Sequence, residues 1–171
     1  MTNSLILLNA LHPICKKPGL LGYQDACNET PVHIHPVIDQ TGRTMAQSAA
    51  DYQKGRNAQG VIINKSEVVS YARPGTSWHN YFLAIDFHLI VNGVDYWPAT
   101  PEEALNNPNW MIVVKCFEKY GFNSGLYFPV RPGKDERDAP HVEYKGGTTI
   151  SQLQAKYAAH DFIPGTTFVN I

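Results

Sequence analysis

Three residues of this chain have the types and spacing to hold a metal ion. His79 and Asp86 stand seven positions apart in the run Ser77-Trp78-His79-Asn80-Tyr81-Phe82-Leu83-Ala84-Ile85-Asp86. His141 follows 55 residues after Asp86, in Asp138-Ala139-Pro140-His141-Val142-Glu143. Two imidazoles and one carboxylate make a three-ligand set with the fourth position open, which is how a catalytic zinc ion and its water are held. Asp138 and Glu143 are spare carboxylates beside His141, where a hydrolase needs a general base. Either half of this pattern is weak alone, since a histidine near an aspartate arises often by chance; the force lies in the combination.

The remaining histidines are read more plainly. His33 and His35 would point to one side of an extended segment, but no neighbouring carboxylate supports a metal there. His88 shares a strand face with Asp86 and is expected to be solvated or hydrogen-bonded without a catalytic role. His12 and His160 are expected at the surface. Arg43 precedes a helix start in a Gly-Arg-Thr turn, a place from which its planar fork can reach into a cleft and clamp a carboxylate or an oxyanion.

The elements that must position these groups can be read from pattern. Leu5 to Leu11 begins a core helix, and Pro13 to Pro36, rich in Pro, Gly and Asn, reads as irregular around short helical pieces. Thr44 to Lys54 is a helix, with Thr44 and Gln47 in capping-box spacing and Gly55 at its end. Val68 to Ala72 is a short β-rich run. Leu83 to Val91 alternates as a strand, with Leu83, Ile85, Phe87, Leu89 and Val91 toward the core and Ala84, Asp86, His88 and Ile90 away from it. Asn92-Gly93 then signals a tight hairpin returning through Val94 to Trp97. Pro101 to Leu105 and Trp110 to Tyr120 read as helices, Leu126 to Val130 as a strand, Arg131 to Arg137 as a charged loop, Val142 to Tyr144 as a strand and Ser151 to Ala159 as a helix. Helices and antiparallel strands without βαβ alternation predict an α+β fold, with a small antiparallel sheet flanked by helices and the zinc site in a cleft on the sheet.

Size and composition set bounds. The 171 residues suit a single domain spanning 1–171. A hydrophobic fraction of 43% and a charged fraction of 17% describe a folded chain, not a disordered one. A net charge of -1, from 14 basic and 15 acidic residues, gives no electrostatic reason to expect a nucleic acid partner. The apolar run Leu5–Leu11 is too short to insert across a membrane and lacks the basic flank of a signal peptide, so a cytoplasmic monomer is expected. Cys15, Cys27 and Cys116 are read as reduced thiols in that compartment, with a Cys15–Cys27 pair as the alternative.

Taken together, the motifs resemble the zinc peptidases that cut bacterial wall peptides: the D-alanyl-D-alanine carboxypeptidases and the phage L-alanyl-D-glutamate endolysins. The resemblance runs from about Arg43 to Tyr144. Arg43-Thr44 with Gln47, Tyr52 and Gly55-Arg56 is similar to the family's Arg-Thr helix ending in Gly-Arg. Ser77-x-His79 leading to Ala84-x-Asp86 matches its first metal motif, and Asp138-x-Pro140-His141-x-Glu143 its last. The resemblance implies that His79, Asp86 and His141 bind zinc, that Asp138 is the general base, and that Arg43 and Ser77 contact the substrate. It implies a peptidoglycan stem peptide as substrate and an endolysin that waits in the host cytoplasm until released to the wall. A D-alanyl-D-alanine carboxypeptidase is the nearest alternative. A zinc-stabilised binding module or a phage structural protein is the alternative of another class, against which Asp138 argues, because metal binding needs no carboxylate there. The chain departs from the family in two places. Phe82 stands where glycine is usual, so that either the loop is remodelled or Phe82 lines the cleft. Asn123-Ser124-Gly125 stands where Trp-Gly-Gly is common.

Overall fold

The strand that carries Asp86 is the centre of the molecule. In the computed structural model, which describes residues 2–171, β2 (Ala84–Val91) pairs on one edge with β1 (Ile34–Gln40). On its other edge it pairs with β7 (His141–Glu143) near its start and with β3 (Val94–Tyr96) near its end. β4 (Asn123–Ser124) adds to β7, so the antiparallel sheet runs β1-β2-β7-β4 with β3 beside β2. Both residues of the β2–β3 turn are left-handed, Asn92 at φ 52° and Gly93 at φ 81°, the geometry the Asn-Gly pair favours in a two-residue hairpin.

Alternation along β2 divides the sheet. Leu83, Ile85, Phe87 and Leu89 are all fully buried, on the side covered by α1 (Thr2–Asn9), α2 (Pro13–Glu29) and α5 (Pro108–Glu118). Phe87 packs on Trp110 with ring centroids 4.6 Å apart and on Phe117 at 6.2 Å. Truncating such a side chain to alanine costs on the order of 3–5 kcal/mol. The opposite face stays open and carries Asp86 and His88. α3 (Met45–Gln53) stands beside this face, capped by Thr44 through a complete capping box with Gln47. α4 (Pro101–Asn106) leads into α5, and α6 (Ile150–Ala158) begins with a second capping box at Thr149. β5 (Val130–Arg131) and β6 (Lys134–Asp135) form a separate two-stranded ribbon. The α+β architecture with a small antiparallel sheet is thus as predicted.

Four expectations are corrected. Pro13–Pro36 is not irregular: α2 occupies 17 of these residues and β1 begins at Ile34. Pro13 sits at the helix start, where a missing N–H costs nothing. Pro18 is absorbed inside the helix, while Gly22 lets α2 approach α5 so closely that a methyl group there would lie 2.8 Å from the Phe117 ring. Tertiary packing thereby overrides the breaker residues. His12 is not at the surface; it is 1% exposed, and its ring faces the Val169 carbonyl at 2.7 Å while its other nitrogen accepts from the Ile14 N–H. Val68–Ala72 forms no strand, and Leu126–Val130 is not one strand: it starts in a 3-10 turn (Gly125–Tyr127), which Ser124 caps, and is extended only at Val130. All three cysteines are free, Cys15 and Cys116 buried and Cys27 exposed.

Candidate metal centre

Strand register accounts for the first two members of the site. Asp86 and His141 are directly opposite each other in the β2–β7 pair. Residues so placed share a face, with Cβ atoms about 4.5–5.5 Å apart. His141 Nδ1 therefore lies 3.0 Å from Asp86 Oδ1. Glu143 is two residues along β7 and on the same face, and its Oε2 lies 3.4 Å from His141 Nε2. That contact fixes the imidazole so that Nδ1 points at Asp86. Glu143 is itself 5% exposed, with Lys145 Nζ 3.4 Å from its other oxygen.

His79 comes from a 3-10 turn, Trp78–Tyr81, just before β2. Ser77 caps this turn: its hydroxyl accepts from the His79 N–H, and the Asn80 side chain reaches back to complete the box. Asn80 is buried and holds three segments at once. Its carbonyl oxygen accepts from the N–H groups of Gly75 and Ser77, and its amide donates to the Arg43 carbonyl and the Ser48 hydroxyl of α3. The turn ends at Phe82, which is left-handed at φ 59°, ψ 35°. Glycine is usual there because that conformation costs an L-residue roughly 1–2 kcal/mol. Phe82 adopts a backbone conformation that favours glycine and turns its ring out of the cleft, onto Gly42 and, edge to face, onto Phe168 at 5.6 Å. Gly42 makes the room: a Cβ there would sit 1.9 Å from the Phe82 ring. Phe82 is not among the residues that line the cleft.

With the turn so placed, His79 Nε2 lies 3.1 Å from Asp86 Oδ1 and 3.2 Å from His141 Nδ1. Among the described residues this is the one group of three or more such side chains whose ligand atoms converge. The donor set fits zinc. Ligand atoms arranged tetrahedrally at zinc bond lengths of about 2.0–2.1 Å stand roughly 3.3 Å from one another. The field at the site also suits a cation. Burial opposes charge on Asp86, yet hydrogen bonds and charge from His141 and His79 hold its carboxyl well below the usual range. Burial likewise opposes protonation of His141, but contacts with Asp86 and Glu143 push its pKa up to about 10. A site that holds a proton this firmly is one a divalent cation competes for.

His79, Asp86 and His141 lie in a cleft of about 1050 Å³, which Arg43, Ser77 and Asp138 also line. Asp138 is open to solvent on one side, but the protein around it desolvates the carboxyl and raises its pKa, with Asp86 adding to this and the two imidazoles opposing it. Its backbone is pinned: the Asp138 N–H donates to the Gly125 carbonyl, and the Asp138 carbonyl accepts from the His141 N–H. Gly125 is required by close approach, since a Cβ would fall 2.4 Å from the Asp138 carbonyl and 3.1 Å from His141 Cβ. Arg43 Nη2 donates to Gln40 at 3.3 Å and Nη1 lies 3.6 Å from Asp51, while Nε is buried without a partner. The ring of Phe128 stands 5.7 Å from that of His141 and forms part of the cleft wall. Sequence reasoning missed Asn80 and the supporting role of Glu143. The Ser-x-x-Asn spacing was a signal for the first, and the alternation His141-x-Glu143 for the second.

His88, on the same face, is buried and bonded to Asp39, with no place in the converging group. His33 and His35 are exposed, outside any such group.

A central strand pairing a carboxylate with an imidazole across a short neighbour, and a capped turn adding a second imidazole, make a group that could hold a metal ion on an α+β sheet. Residues 71–144 match the family described as D-alanyl-D-alanine carboxypeptidase. The chain is 33% identical over 135 residues to the peptidoglycan L-alanyl-D-glutamate endopeptidase CwlK of Bacillus subtilis (strain 168), covering 78% of this chain and 72% of that one. The protein therefore belongs to the zinc D-alanyl-D-alanine carboxypeptidase and L-alanyl-D-glutamate endopeptidase family. The fold is also that of the crystal structure of the Serratia marcescens L-Ala D-Glu endopeptidase ChiX, with a TM-score of 0.50 at 16% identity over 82% of this chain and 85% of that one.

Proposed function

We propose that this protein is a zinc-dependent peptidoglycan peptidase that cuts the L-alanyl–D-glutamate bond of the wall stem peptide, acting as an endolysin. In that role it stays in the host cytoplasm until release to the wall. The observation that carries the reading is the convergence of His79, Asp86 and His141 within 3.2 Å of one another in a cleft that Asp138 also lines. His79, Asp86 and His141 would hold a zinc ion, which would supply Lewis acidity in the cleft. Asp138, outside the ligand group, takes the proton of the attacking water and delivers it to the leaving amine. Its raised pKa suits the first half of that exchange, because a weaker acid is a stronger base. Arg43, in the cleft wall, offers guanidinium donors to a substrate carboxylate or to the developing oxyanion. Ser77 holds the His79 turn and lines the floor of the cleft. The relatives named for the L-alanyl–D-glutamate bond favour that bond over the terminal D-alanyl-D-alanine named in the family description.

The test is digestion of purified peptidoglycan followed by mass spectrometry of the products. New D-glutamate amino ends, abolished by a chelator and restored by zinc, are the expected result. Release of free D-alanine alone would establish the carboxypeptidase instead, and intact wall with zinc bound would establish a non-enzymatic module.

A further inference from the structure

The open face of β2 carries a second group beyond the metal site. His88 lies two residues past Asp86 on the same face, a separation of about 6.7 Å along a strand. Its Nδ1 is bonded to the Asp39 carboxylate at 2.8 and 3.0 Å, and Asp95 Oδ1 approaches Nε2 at 3.4 Å. His88 is 7% exposed, and its Nε2 is buried with no hydrogen-bond partner. Trp97 stacks on the imidazole, centroids 4.9 Å apart and planes 23° from parallel, yet remains 50% exposed. The Asp95 side chain beside it is 69% exposed. A buried imidazole clamped by an aspartate thus holds an indole flat, with one face covered, its other side free and a carboxylate at its edge.

We propose that Trp97, seated on His88 and flanked by Asp95 and Asp39, is a saccharide platform that binds the wall amino sugar from which the stem peptide hangs. An aromatic face accepts the apolar face of a pyranose ring, and ionised carboxylates accept strong hydrogen bonds from hydroxyl and amide donors. The spacing selects the occupant. This inference rests on the L-alanyl–D-glutamate reading, in which the scissile bond follows the first residue of the stem. That residue is joined to the sugar through a lactyl group, so sugar and bond are separated by about two residue lengths, roughly 7 Å. The platform begins about that far along β2 from Asp86. A terminal D-alanyl-D-alanine bond, about five residue lengths from the sugar when the lactyl group is counted, would hold it roughly 17 Å away.

The test compares kcat/KM for two substrates with the same stem peptide, one attached to the N-acetylglucosaminyl–N-acetylmuramic acid disaccharide and one free. The intact protein should prefer the sugar-linked substrate by roughly tenfold. Trp97→Ala should bring that ratio toward one, and Trp97→Tyr, which keeps an aromatic face, should restore most of it. Zinc content and melting temperature identify a variant that has merely misfolded. No preference in the intact protein, or a full preference in Trp97→Ala, overturns the platform. Calorimetric binding of the peptide-free disaccharide reads the platform without any cleavage. If Trp97→Ala loses that binding while products reveal another bond, the platform stands and the bond assignment falls. If the bond is as proposed and disaccharide binding is unchanged, the reverse holds.

Discussion

Two histidine–aspartate groups are built on one face of one strand, and they differ above all in direction. At Asp86, the ligand atoms of His79 and His141 converge on one carboxylate oxygen at 3.0–3.1 Å. At His88, the carboxylates of Asp39 and Asp95 approach opposite nitrogens of a single ring. The first arrangement gathers lone pairs around a point and suits a cation. The second bonds one nitrogen to Asp39, leaves the other without a hydrogen-bond partner, and stacks the ring against Trp97. Residue types alone do not distinguish them; strand register does, because Asp86 faces His141 across the β2–β7 pair, whereas His88 faces Val37 across the β1–β2 pair.

The comparison breaks most visibly at the converging group. His79→Ala should lose stoichiometric zinc by elemental analysis and all measurable wall hydrolysis, with the fold intact by circular dichroism. Full zinc in that variant would remove His79 from the ligand set. Asp138→Asn should keep its zinc and lose about 10²–10⁴ in turnover, the usual contribution of a general acid–base group. Activity within about tenfold of the parent would transfer the base role to Glu143. Glu143→Gln should weaken zinc affinity by about 10–100-fold, since it removes the charge that orients and enriches His141. No change in affinity would reduce Glu143 to packing.

Two smaller effects sharpen the contrast. The metal-free His141 pKa is raised to about 10, so the imidazole carries a proton at neutral pH that zinc must displace. Zinc affinity should rise about tenfold per pH unit between pH 7 and 9 from this proton alone, with about one proton released per ion by calorimetry in buffers of different ionisation enthalpy. A pH-independent affinity would mean that His141 is already neutral. His88→Phe should leave zinc stoichiometry untouched and cost about 1–3 kcal/mol in urea unfolding, the penalty of stranding the partly buried Asp39 carboxylate. Zinc loss in that variant would merge the two groups into one.

What was legible in the sequence follows the same division. The β2 strand, its Asn-Gly turn and the Thr44 cap rest on local rules, and the structure has each of them. α2 was hidden because Pro18 and Gly22 are read locally as breakers, whereas Gly22 is where Phe117 approaches. His12 looked like a surface residue because its partner, Val169, is 157 positions away. Phe82 was recognisable as a departure from glycine, but the compensation at Gly42 lies 40 positions back and leaves no local mark. His79, Asp86 and His141 were picked out as candidate ligands from types and spacing, and the structure brings them together; the register and the Asn80 tether that do so are properties of the folded sheet.

The His12 contact has a consequence for how the protein is made. The His12 N–H donates to the Phe82 carbonyl, at the end of the turn that presents His79, and the His12 ring meets the Val169 carbonyl. One buried histidine therefore joins the beginning of α2, the His79 turn and a segment near residue 169. During synthesis at about 5–20 residues per second, residue 169 is added several seconds or more after His79, so this clasp closes only after residue 169 has been made. Contacts of such sequence separation are also the slow ones to form. This support of the site is thus delivered late, and the translating ribosome carries a chain whose His79 turn is not yet locked.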